Sequence, residues 1–172
     1  NQNNITNAIQ EFERTLLTPN SRFDKYLKGD QTAMNAEEVA GYDLFKKYSC
    51  ATCHVGENMG GQSYELMGIK HDYFADRGTE LTIEDNGRFK ETKDERDRHR
   101  FKVPGLRNVA LTAPYFHDAT QATLEDAVIA MAKYEVGVDL TQQEVKQIVS
   151  FLQTLTGEYQ GKLLTNANDL QK

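Results

Sequence analysis

The hydrophobic positions fall into four helical patterns separated by stretches with no period. In residues 4–17, Ile5, Ala8, Ile9, Phe12 and Leu16 recur at steps of three and four, which predicts a helix with one apolar face. Pro19 ends that pattern, and Thr18 before it is pushed toward extended backbone. A second helix opens at Asn35, an N-cap with Glu38 three residues on. It carries Val39, Tyr42 and Phe45 on one face and runs toward Cys50. Thr123, followed by Asp126, opens a third helix with Leu124, Val128 and Met131 on one face, closed by Gly137. The capping box Thr141–Glu144 opens a fourth, with Val145, Ile148, Val149, Leu152 and Leu155 inward and Gly157 at its end.

The intervening segments read as loops. Residues 18–34 are turn-rich around Gly29-Asp30, and residues 55–83 are punctuated by glycine. Residues 84–102 hold 13 charges in 19 positions, seven basic and six acidic, which reads as solvated surface. Residues 158–172 are polar apart from Leu163 and Leu164. With no alternating strand and no repeat, the fold class is all-α with long loops. The expected organisation is an opening helix and inter-domain linker over 1–34, a main domain over 35–158 and a polar tail over 159–172.

Composition narrows the function classes. A chain of 172 residues with 38 % hydrophobic positions supports one core. No stretch approaches the roughly 18 apolar residues of a membrane-spanning helix. A formal charge of −6 argues against nucleic acid and for a basic protein partner. The chain begins at Asn1 without a charged-then-apolar signal, so it reads as a mature or trimmed product.

The two cysteines sit together in Cys50-Ala51-Thr52-Cys53-His54. They are too few for a disulfide framework, and a zinc site would need a second pair. C-x-x-C-H is the attachment signature of c-type haem. Two thiols on one turn can each add to a porphyrin vinyl group, and His54 then supplies an imidazole nitrogen to the iron. The rival reading, a thioredoxin-like redox pair, wants a βαβ context that the pattern lacks. For the second axial ligand the spacing leaves Met34, Met59, Met67, Met131, His71, His99 and His117 open. Met34 reads as packing, Met59 and Met67 lie in the glycine-rich loop, and Met131 is presented by a helix far from the attachment site. His99 reads as solvated, and His71 and His117 as loop histidines.

Residues 101–134, FKVPGLRNVALTAPYFHDATQATLEDAVIAMAKY, resemble the C-terminal domain of the bacterial di-haem cytochrome c peroxidases. The family pattern there is F-x-V-P-x-L-R-N, L-T-x-P-Y-F-H-D, T-L-x-x-A-V and then the axial methionine. RTLLTPNSRFDKYLKGD (14–30), GYDLFKKYSCATCH (41–54) and VSFLQTLTGEY (149–159) resemble the segment entering that domain, its haem helix and its closing helix. The resemblance implies an all-α cytochrome domain with one covalent haem c, bound through Cys50 and Cys53 with His54 and Met131 as axial ligands. It further implies a His/Met electron-transfer centre that serves a separate N-terminal peroxidatic haem domain. Its electrons would come from a small cytochrome c or a cupredoxin, its reaction would be peroxide reduction, and its compartment would be the periplasm. The related MauG enzymes carry tyrosine at the position of Met131, and Tyr134 lies a helical turn away.

A calcium ion bound through the carbonyls of Thr112 and Pro114 is implied in the same way. Arg107 and His117 are expected near the haem propionates or a domain interface. The chain has no second C-x-x-C-H and no tryptophan. It is therefore expected either to be one piece of a longer peroxidase, poorly active alone, or to be a free-standing mono-haem carrier. A second copy of the chain is retained as a candidate partner.

Overall fold

Helices α3 (Ala36–Lys47) and α7 (Gln142–Gln153) cross to form the centre of the fold. Both open with full capping boxes, Asn35 with Glu38 and Thr141 with Glu144, so each start is fixed by its own side chains. The crossing is closest at Gly41, where an added Cβ would lie 1.9 Å from the carbonyl oxygen of Gln147. Glycine in mid-helix costs about 1 kcal/mol relative to alanine, and here it is what lets the two backbones meet. The fully buried ring of Phe151 packs against Phe23, Tyr42 and Phe45 at centroid distances of 5.2, 5.1 and 5.3 Å.

The computed structural model describes residues 2–166 and 169. Its remaining helices are α1 (Gln2–Glu13), α2 (Arg22–Leu27), α4 (Tyr73–Arg77), α5 (Phe89–Thr92) and α6 (Leu124–Met131). Helix α2 lies in a segment expected to be only turns. Ser21 and Asp24 form its capping box and Phe23 anchors it in the core. Six residues are too short to show a helical period. Helix α1 appears where the pattern placed it but buries none of its residues, and Ile5, Ile9 and Phe12 stay exposed. Helix α6 opens at its Thr123 cap. It then widens into a π-helical turn, Ala132–Val136, which Gly137 ends at φ 79°.

The all-α expectation is corrected to a fold in which just under half of the residues are helical and two short antiparallel strand pairs are added. Strand β1 (Tyr64–Leu66) pairs with β2 (Arg100–Lys102) in the register Tyr64↔Lys102, Glu65↔Phe101, Leu66↔Arg100. Strand β3 (Glu158–Tyr159) pairs with β4 (Lys162–Leu163), and Leu164 behind them is buried. Strands of two or three residues cannot display an alternating pattern, which is why the sequence hid them. Part of the segment expected to be a polar tail is thus hairpin; its positions 167, 168 and 170–172 lie outside the described residues. No helix among the described residues is long and apolar enough to cross a membrane.

The charge-rich run is not uniformly solvated. Asp85 is fully buried, held by both terminal nitrogens of Arg77 at 2.8 and 2.7 Å and by His117 Nε2 at 2.7 Å. His99, expected in solvent, is half-buried, with its ring 4.4 Å from that of Phe74 and Nδ1 bonded to the Asp85 carbonyl. A charge count cannot separate a paired, buried aspartate from its exposed neighbours.

Candidate haem site

Helix α3 delivers the C-x-x-C-H motif. It ends at Lys47, the backbone turns through Ser49 at φ 59°, and Cys50–Thr52 form a 3-10 turn. His54 N–H bonds back to the Cys50 carbonyl at 3.0 Å, so both thiols and the imidazole share one tight turn. The two thiols are unpaired. Burial pushes the Cys50 thiol up to about 11, and burial raises Cys53 as well, followed by the charges of Glu65 and Glu135. Such thiols stay protonated at neutral pH, the reverse of the low-pKa thiolate that disulfide exchange uses.

His54 is oriented by main chain. Its Nδ1 donates to the carbonyl oxygen of Met59 at 3.3 Å, which leaves Nε2 with the lone pair a metal requires. Burial lowers its pKa and favours the neutral imidazole. The loop that supplies this carbonyl is sharply bent. Met59 has φ 50°, and Gly60, at φ 133°, lies where a Cβ would be 2.1 Å from the Pro104 carbonyl oxygen.

Two adjoining cavities of about 540 and 610 Å³ open beside this turn. They share Cys50, His54, Met67, Phe101 and Met131 as lining residues, and Cys53 lines the smaller one. Of the seven side chains open as second axial ligand, the structure brings Met131, Met67 and His117 to these cavities. Met34 and Met59 are buried in the core, and His71 and His99 line neither cavity. His117 lines the larger one, but its Nε2 is already committed to Asp85 at 2.7 Å.

The donor set suits a c-type haem. Two protonated thiols, an oriented neutral imidazole and two thioethers surround largely apolar space of the size expected for a cofactor pocket. Thr112 and Pro114 are exposed and line the larger cavity. Arg107 does not line either cavity. It makes a two-pronged ion pair with Asp24 at 2.7 and 2.8 Å and donates to the Glu57 carbonyl. Asp85, His117 and Asp118 come close enough together to hold a metal ion. The guanidinium of Arg77 already bonds both carboxylates, which makes the group a compensated ion-pair network.

Sequence reasoning missed the Met59 carbonyl, which carries no side-chain signal. Glu135 also lines the smaller cavity, and its carboxylate accepts from Gly68 N–H at 2.7 Å.

A family model described as di-haem cytochrome c peroxidase matches residues 1–32. The chain is 54 % identical over 156 residues to the cytochrome c peroxidase Ccp of Escherichia coli, covering 91 % of this chain and 33 % of that protein. It is 48 % identical to the cytochrome c551 peroxidase of Nitrosomonas europaea, covering 90 % of this chain and 44 % of that one. Among solved structures, a MauG-like protein associated with microbial copper homeostasis superposes with TM-score 0.66 at 30 % identity. That match covers 81 % of this chain and 49 % of the other. The chain thus spans a third to a half of the length of these relatives. Likeness of this strength, carried through nine-tenths of the residues, makes the chain a member of the di-haem cytochrome c peroxidase family.

Proposed function

We propose that this chain is the electron-transfer haem domain of a longer di-haem peroxidase, corresponding to the C-terminal domain of the family. In this reading residues 35–158 would form the cytochrome domain, residues 1–34 the opening helix and inter-domain linker, and residues 159–172 a polar C-terminal tail. The observation that carries the reading is the convergence of Cys50, His54 and Met131 on the same cavity walls, from elements far apart in the chain.

In this reading Cys50 and Cys53 form the thioethers. His54, its ring held by the Met59 carbonyl, would offer Nε2 to the iron, and Met131 would offer its sulfur. A haem bound this way stores and releases one electron at a potential raised by methionine. With both His54 and Met131 committed to a bound iron, the chain would offer peroxide no vacant position on it. Peroxide would be reduced to water at the haem of the partner domain, which more than half of the relatives' length has room to supply. A small cytochrome c or cupredoxin would deliver the electrons, in the periplasm. The carbonyls of Thr112 and Pro114 are assigned to a calcium ion whose other oxygen ligands come from outside this chain.

The test compares two rates for the haem-loaded chain. Stopped-flow mixing with a reduced small cytochrome c should show rapid electron exchange, while steady-state peroxide turnover should stay near the uncatalysed background. Turnover matching that of a two-haem relative would overturn the assignment.

A further inference from the structure

The turn that follows Met131 is tied to the loop that carries Met67. Lys70 N–H donates to the Tyr134 carbonyl at 2.8 Å, and Gly68 N–H donates to Glu135 Oε1 at 2.7 Å. The backbone N–H of Ile69, next along the loop, also lowers the pKa of this carboxylate. On the opposite flank Lys133 Nζ and the Tyr134 hydroxyl reach Asp76 at 2.6 and 3.3 Å. The tied segment is the π-helical turn Ala132–Val136, a wide turn that persists where tertiary bonds hold it.

Glu135 is an unusual choice for this place. Its carboxylate lines the smaller cavity beside Met131, and among the described residues it has no cationic partner. Burial raises its pKa and the backbone N–H groups of Gly68 and Ile69 pull it back. A half-buried carboxylate met by main-chain donors and no cation is costly to keep. These bonds join the segment that follows Met67 to the turn that follows Met131. Met67 immediately precedes Gly68, whose φ is 91°, and Met131 immediately precedes the π turn. Both side chains line both cavities.

We propose that Glu135 is a positioning residue: by clasping Gly68 N–H it holds Met131, rather than Met67, as the sulfur presented to the iron. The inference rests on the reading of His54 and Met131 as axial ligands. Glutamine keeps an oxygen at the same reach. Aspartate keeps the charge but is one methylene too short, and alanine removes the clasp.

The experiment uses the haem-loaded chain and reads the near-infrared sulfur-to-iron band of the oxidised form and carbon monoxide binding by the reduced form. Glu135→Gln should keep the band and stay inert to carbon monoxide. In Glu135→Asp and Glu135→Ala the ratio of Met131-ligated to open iron should fall about tenfold or more, as expected for losing hydrogen bonds to a charged acceptor. A band that survives in these variants but vanishes on adding Met67→Ala would also support the clasp, since the ligand has switched. A full band in Glu135→Asp that still depends on Met131 would overturn it, and that comparison decides the matter even if Glu135→Ala fails to fold. If the wild-type chain shows no band at all, the axial-ligand reading falls first and takes the clasp with it.

Discussion

His54 Nδ1 lies 3.3 Å from the carbonyl oxygen of Met59, five residues along the chain, and only a sharply bent loop brings the two together. The bend depends on Gly60, which combines φ 133° with a close approach to the Pro104 carbonyl. Gly60→Ala should therefore loosen the imidazole as well as the loop. A loss of about 1–3 kcal/mol in urea unfolding is expected from the clash. In the haem-loaded chain the same variant should bind added imidazole or cyanide more readily. Unchanged stability and unchanged ligand access would show that the loop does not set the ring.

The α3–α7 crossing gives a second prediction. Gly41→Ala would raise helix propensity in isolation, yet its Cβ would fall 1.9 Å from the Gln147 carbonyl oxygen. Packing should win, because the propensity gain is only about 1 kcal/mol and overpacking between two backbones costs at least as much. Urea denaturation should show net destabilisation, and a stabilised variant would contradict the crossing.

Much of this was legible in the sequence. The caps at Asn35, Thr123 and Thr141 stand where the pattern put them, because a polar side chain bonding its own helix start is a local event. Cys50, Cys53 and His54 were legible for the same reason: their chemistry is written at fixed short spacing. Gly41 was overlooked, although an isolated glycine inside a helical pattern is a signal of close approach. Asp85 and His99 were misread as solvated because their partners Arg77, His117 and Phe74 lie well outside a local window. Spacing alone left seven candidates for the second axial ligand. The cavity walls remove Met34, Met59, His71 and His99, since those contacts exist only in three dimensions.

The Asp85 network predicts a pH dependence. Hydrogen bonding from Arg77, and then from His117 and Thr82, holds the buried Asp85 carboxyl far below its ordinary 3.8. A depressed carboxylate contributes stability that is present above its unfolded pKa and lost as pH falls. The contribution should therefore be intact at pH 7 and decline from about pH 5 downward. Asp85→Asn should cost about 1–3 kcal/mol at pH 7, because Arg77 and His117 lose a buried charged acceptor and Arg77 keeps only Asp118. The gap to the wild type should narrow below about pH 4, as the wild-type carboxylate loses its advantage. Urea midpoints at pH 7 and pH 3.5 measure this, and a gap independent of pH would exclude the network as its source.

Haem attachment is checked by mass. Produced in a host competent to attach haem, the chain should carry one haem under denaturing conditions. Cys50→Ser or Cys53→Ser should leave a single thioether and a shifted reduced-haem absorption band. A polypeptide of unmodified mass from the wild-type gene would exclude covalent haem.

The central claim is that His54 and Met131 close the two axial positions of that haem. The near-infrared sulfur-to-iron band of the oxidised, haem-loaded chain tests it most directly, measured for the wild type and for Met131→Ala, Met67→Ala and Met59→Ala. The band should be present in the wild type and in the Met67 and Met59 variants. It should be absent in Met131→Ala, whose reduced form should also bind carbon monoxide. Survival of the band without Met131, or its loss with Met67 or Met59, would contradict the account.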